Sequence, residues 1–230
     1  MICLLDEDLR LAHSRVLFSE MTANVRRQFD KVFLQLEKLG FLLLSDSLPS
    51  VTRLVAGDGL RGSWWGHEQA HIIFAVTEML EDHPDVLAMK LIDGKVTFVH
   101  RELWGRVYSI GVAREDWQLK NLSKEARLLL KALDTQGTLH TSKLSKSFGP
   151  KPGETARELE LRLLIHAQQV HTESGAHAKL LETWDAWAKR AGFRARAKSP
   201  SAARRFLEQQ LTEFNKNHNG QGRLPWPATL

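Results

Sequence analysis

The chain has 230 residues, 43% of them apolar and 26% charged, with seven Trp and ten Phe, which is the composition of a globular protein and not a disordered one. A single cysteine, Cys3, excludes an internal disulfide and any cysteine-based zinc site, so a reducing, cytoplasmic setting is expected. The net charge is +5, yet residues 189–205 carry seven Lys and Arg and no acid, which points to an anionic partner at one place.

MICLLDEDLR has no basic region before its short apolar run, so no signal peptide is expected there, and no stretch has the apolar length of a membrane span. Residues 14–41 predict a helix, because Val25, Phe29, Val32, Phe33, Leu36 and Leu39 recur at helical spacing and Gly40 supplies a stop. Pro49, Gly57, Gly59 and Gly62 then punctuate short elements, with one helical turn between loops. WWGHEQAHIIFAVTEMLED predicts a second helix, capped by Ser63 and ended by Pro84, that buries Trp64 or Trp65, Ile72, Val76, Met79 and Leu80. Asp93-Gly94 between two β-rich runs predicts a tight hairpin with an exposed tip, since a type I′ turn needs positive φ at both central residues. RELWGRVYSIGVAREDW is expected to be helical again.

Residues 117–123 form a junction, after which Ser123 caps a helix whose stripe is Ala126, Leu129, Leu130 and Leu133 and whose stop is Gly137. TLHTSKLSKSFG fits a short strand and a short helix, and ETARELELRLL a third helix. LLIHAQQVHTESGAHAKLLETW predicts two strands joined near Ser174-Gly175, DAWAKRAGF a helical turn, and the last residues a tail. The fold class is therefore α+β and predominantly helical, with two winged-helix-like units. Residues 1–116 form an N-terminal helical domain with a hairpin, 117–192 a winged-helix domain, and 193–230 a basic segment and tail.

LSKEARLLLKALDTQGTLHTSKLSKSF followed by TARELELRLLIHAQQVHTESGAHAKLLETW resembles the winged-helix DNA-binding superfamily in element order and in the position of its apolar stripes. The same stretch is similar to the winged-helix modules of the AlkZ-type DNA glycosylases. The resemblance covers roughly the second half of the chain. It implies DNA contact through the third helix, near 154–164, and through the wing, near 170–180. It brings no catalytic residue with it, because the paired-Gln motif of those glycosylases is not found in this chain.

His67-Glu68-Gln69-Ala70-His71 matches H-E-x-x-H, in which two imidazoles one helical turn apart hold a zinc ion and the Glu polarises its water. Phe74 stands where the extended motif needs Gly; Glu78, Glu81, His83, Asp93 and His100 offer a third ligand by type alone. A zinc-dependent hydrolase using His67 and His71 is thus a rival reading, and a structural helix start is the expectation. His166, His171, Glu173 and His177 form a second group, in which His171 and His177 face each other across the predicted hairpin. In the third helix, Arg157 and Arg162 suit phosphates or base edges, while Glu154, Glu158 and Glu160 oppose insertion into a DNA groove. Trp64, Trp65, Trp104, Trp117, Trp184 and Trp187 are expected in the core or at interfaces, although any of them suits stacking on an extruded base. No phosphate-binding loop, dinucleotide fingerprint or serine-nucleophile turn is present.

The expected function is non-enzymatic binding of double-stranded DNA, in regulation or repair, chiefly through phosphate contacts. The residues expected to make them are Lys143, Lys146, Lys151, Arg157, Arg162, Lys179, Arg194, Arg196, Lys198, Arg204 and Arg205. No cofactor, metal or membrane partner is expected, and a protein-interaction scaffold is the third reading.

Overall fold

The computed structural model describes the backbone of residues 4–57, 63–171, 177–194 and 199–227, with side chains from residue 21 onward except at His171 and His177. Helix α1 (Leu4–Leu39) stops where the sequence predicts, at Gly40, whose φ of 79° lets its N–H reach Leu36 O at 2.8 Å. Strand β1 (Phe41–Leu43) follows directly, then α2 (Val51–Ala56), which Ser50 caps by accepting the Arg53 N–H. Helix α3 (Ala70–Glu81) leads into the hairpin of β2 (Val86–Lys90) and β3 (Val96–His100). The three strands form an antiparallel sheet in the order β1-β3-β2, with Phe41 opposite Val99 and Lys90 opposite Val96.

Helices α4 (Trp104–Gly111) and α5 (Asp116–Leu119) cross to the second unit. It repeats the order of the first: α6 (Lys124–Gln136), β4 (Thr138–His140), two 3-10 turns where a short helix was expected, α7 (Pro152–Leu161), then β5 (His166–His171) and β6 (His177–Glu182). Its sheet has the matching order β4-β6-β5. Ser123 caps α6 as predicted, and its own N–H and hydroxyl are both held by the Glu158 carboxylate, at 3.0 and 2.6 Å. Glu158 is thus a structural acceptor. The predicted turn at Ser174-Gly175 lies outside the described residues.

Two helices close the chain, α8 (Trp184–Arg190) and α9 (Pro200–His218). The second corrects the expected basic tail. Ala203, Leu207, Leu211 and Phe214 fall on one face of α9 and are buried, and Trp226 packs into the same core. Pro200 begins this helix, because a first-turn position needs no backbone donor.

The first sheet is covered on both sides. Leu42, Val86 and Phe98 pack against α1, α2 and α3, whereas Phe41, Leu43, Leu87, Met89 and Val99 pack against residues of α4, α8 and α9. A smaller core joins α6, α7 and the second sheet. Full burial of each such side chain contributes roughly 1.5–3 kcal/mol.

The Asp93-Gly94 turn has the predicted backbone. Their φ angles are 51° and 64°, and Lys95 N–H donates to Ile92 O at 2.9 Å. At its tip Asp93 is exposed as expected, but the turn is also anchored. Asp93 N–H donates to Arg223 O at 2.9 Å, and a Cβ on Gly94 would lie 2.6 Å from Leu161 of α7. The tip of the first hairpin therefore abuts the second unit. Gly94→Val should destabilise the protein by about 1–3 kcal/mol through backbone strain alone, with the clash adding to it. Urea unfolding checks this: an unchanged midpoint would mean that the turn is not built as described.

Candidate nucleic-acid interface

Strands β2 and β5 are edge strands of their respective sheets, and they lie against each other without joining into one sheet. Helix α7 also packs on β2. Between them is a cleft of about 380 Å³, within the range of small-molecule sites.

His166, at the start of β5, ties the two units together. Its Nδ1 lies 3.1 Å from Glu182 Oε2, and its Nε2 lies 3.3 Å from the carbonyl oxygen of Ala88 in β2. Glu182 also accepts two hydrogen bonds from Arg190, at 2.8 and 2.7 Å. The Glu182 side chain is 1% exposed. Burial pushes its pKa up, but the hydrogen bonds from His166 and Arg190 outweigh burial and hold it down at about 2. Both ring nitrogens of His166 are thus engaged by protein groups, one in each unit. His166 therefore acts as a structural tie between the units. His171 and His177 do pair in register across the hairpin; Glu173 lies outside the described residues.

The cleft is lined by Lys90, Lys179 and Arg190 together with Glu81, Asp82 and Glu160, and Arg157 of α7 is near enough for its charge to act on Lys90. Lys179 on β6 pairs with the buried Glu160 of α7 at 2.6 Å. Lys90, the last residue of β2, is half-buried and lines the cleft with Lys179, Glu160 and Gln168. Burial lowers the Lys90 pKa; the Glu160 charge opposes this, and the charges of Lys179 and Arg157 add to it. Arg157 is exposed on α7.

The other predicted phosphate-binding residues are dispersed. Lys143, Lys146, Arg194 and Arg205 are exposed. Lys151 pairs with Glu154 at 3.0 Å, and Arg204 with Glu115 at 3.2 Å. Arg162 donates to the carbonyls of Trp117, Gln118 and Lys120, so it closes a junction. Arg196 and Lys198 lie outside the described residues. Of the predicted set, the structure brings Arg157 and Lys179 to one place and adds Lys90. The available sequence signal was a lone lysine ending an apolar strand.

The H-E-x-x-H geometry does not form. Trp64–Gly66 is a 3-10 turn, and α3 begins only at Ala70, so His67 precedes the helix and is not one turn behind His71. Its Nδ1 accepts the Gln69 N–H at 3.2 Å. Among the described residues, no group of three His, Cys, Asp or Glu is placed to hold a metal, and no helix is long and apolar enough to cross a membrane. Beside this segment Trp65 stacks on Trp64 with ring centres 4.1 Å apart and is 65% exposed, next to the partly exposed Phe74.

Replacing Glu182 by Gln removes the negative charge between His166 and Arg190 and one of the two acceptor oxygens they use. A buried pair broken in this way costs about 3–5 kcal/mol, and the low end is expected because Arg190 is itself 43% exposed. The depressed pKa of Glu182 fixes the sign with pH: its contribution is complete above the ordinary carboxylate value of 4.5 and is lost as pH falls toward 2. Thermal unfolding from pH 7 to 2 should therefore show a steeper acid loss in the parent than in Glu182→Gln. Parallel curves would contradict the assignment.

No curated protein and no solved structure matches the chain. A family model described as AlkZ related matches residues 27–222. That span holds both sheets, the cleft between them and all of α9, so the protein belongs to the AlkZ-related family, which ties it to DNA repair and DNA binding.

Proposed function

We propose that the protein is a DNA-repair factor that binds double-stranded DNA without reading its sequence. Two winged-helix-type units, bounded as 1–116 and 117–192, would form its body, with α9 bracing the first. The phosphate backbone would run across the mouth of the cleft, against Arg157, Lys179 and Lys90, with Lys143 and Lys146 extending the track. The convergence of those three cations at the junction of the two units is the observation that carries this reading.

The surroundings of α7 support phosphate contact over groove reading. Glu158 is bound to Ser123, Leu161 faces the hairpin tip, and Arg162 is bound to carbonyls. What α7 offers to solvent is mainly Gly153, Glu154 and Arg157, too little for a base-reading surface and enough for a backbone contact. The scaffold reading is favoured by one observation, the exposed pair Trp65 and Phe74.

A triple variant Lys143→Ser, Lys146→Ser and Arg157→Ser tests the reading by fluorescence anisotropy. Affinity for unrelated duplexes should fall alike. The slope of log K against log salt should become shallower by roughly 0.9 for each phosphate that the variant no longer neutralises. Unfolding should shift by no more than about 0.5 kcal/mol, because these charges are exposed. Unchanged affinity, or a loss confined to one sequence, would overturn the proposal.

A further inference from the structure

Lys90 sits where a lysine becomes a nucleophile. It ends an edge strand and opens into the cleft, partly withdrawn from water. The neighbouring carboxylate, Glu160, is already held by Lys179 at 2.6 Å. Among the described residues, the Lys90 side chain has no hydrogen bond or ion pair. Burial and the charges of Lys179 and Arg157 all disfavour its ammonium form, against Glu160 alone. A desolvated amine beside other cations is the arrangement that frees the nitrogen lone pair for attack on a carbonyl carbon. Gln168, whose neutral amide also lines the cleft, can hold a sugar hydroxyl there.

We propose that Lys90 forms an imine with the aldehyde of an abasic deoxyribose in DNA docked at the cleft mouth. This rests on the DNA-binding reading, which brings the sugar to the lysine. The Nζ lone pair attacks C1′ of the ring-opened sugar. The carbonyl oxygen takes the two amine protons, relayed through Glu160, and leaves as water, so that a C1′=Nζ double bond remains. No oxidant or reductant takes part.

The full-length protein is incubated with a duplex carrying one abasic site, and sodium borohydride is added to reduce the imine to a stable amine. Free 2-deoxyribose 5-phosphate serves as a second probe that needs no duplex binding. Adduct yield is normalised to the fraction bound, measured by anisotropy. The expected result is an adduct that mass spectrometry maps to Lys90 with both probes. It should fall at least tenfold in Lys90→Arg, which keeps the cation without the nucleophile, and persist in Lys131→Gln, which alters an exposed lysine of α6. A matching unfolding midpoint for Lys90→Arg shows that the variant is folded. Duplex binding without adduct, or an adduct that maps elsewhere, overturns the assignment and leaves the DNA-binding reading standing. An adduct on Lys90 with the sugar phosphate but no duplex binding supports the reactive lysine and overturns the DNA substrate. No adduct with either probe overturns the proposal.

Discussion

His166 is the constraint on which the arrangement depends. An imidazole buried to 5% exposure must satisfy both nitrogens inside the protein, and it does so by reaching in two directions. One nitrogen faces Glu182 in its own sheet, and the other faces Ala88 in the neighbouring one. Glu182 is in turn neutralised by Arg190 from α8. A strand, a second strand and a helix are thereby held at one point. The contact also engages one carbonyl of the edge strand β2, a group that would otherwise be open to pairing with a foreign strand. Because the two sheets meet through a side chain and not through a shared ladder, space remains beside the contact, and that space is the cleft.

The same junction decides how each unit faces its surroundings. The first hairpin does not project as a free wing, since Gly94 abuts Leu161 and Asp93 is bound to Arg223. Helix α7 is pressed on β2, with Glu158 and Glu160 engaged internally. Two of the three carboxylates that argue against groove insertion are therefore engaged inside the protein, and only Glu154, paired with Lys151, is exposed. The cleft that results is lined by residues of both units, with Lys90 of β2 and Lys179 of β6 among them, both partly withdrawn from water.

Local chemistry was legible in the sequence wherever a single residue determines it. Ser123 and Gly137 bound α6, Gly40 ends α1, and Asp93-Gly94 turns the hairpin, each for reasons contained in a few neighbouring residues. Strand β1 was not legible, because three apolar residues buried on both faces carry no alternation. Helix α9 was hidden by its basic residues and by Pro200, although Ala203, Leu207, Leu211 and Phe214 already had helical spacing. The H-E-x-x-H match depended on where a helix starts, which a stacked Trp64-Trp65 turn postpones to Ala70. The candidate site was the least visible of all. His166 and Ala88 are 78 residues apart, and Lys90 gains its character from burial, against the charge of Glu160 and with those of Lys179 and Arg157, which no local pattern reports.

Lysine labelling with an acylating reagent, with and without a saturating duplex of arbitrary sequence, tests the central claim most directly. If DNA crosses the mouth of the cleft, Lys90 and Lys179 should lose reactivity on DNA binding, while Lys31 of α1 and Lys131 of α6 keep theirs. Equal labelling of Lys90 and Lys179 in the free and bound protein would contradict the account.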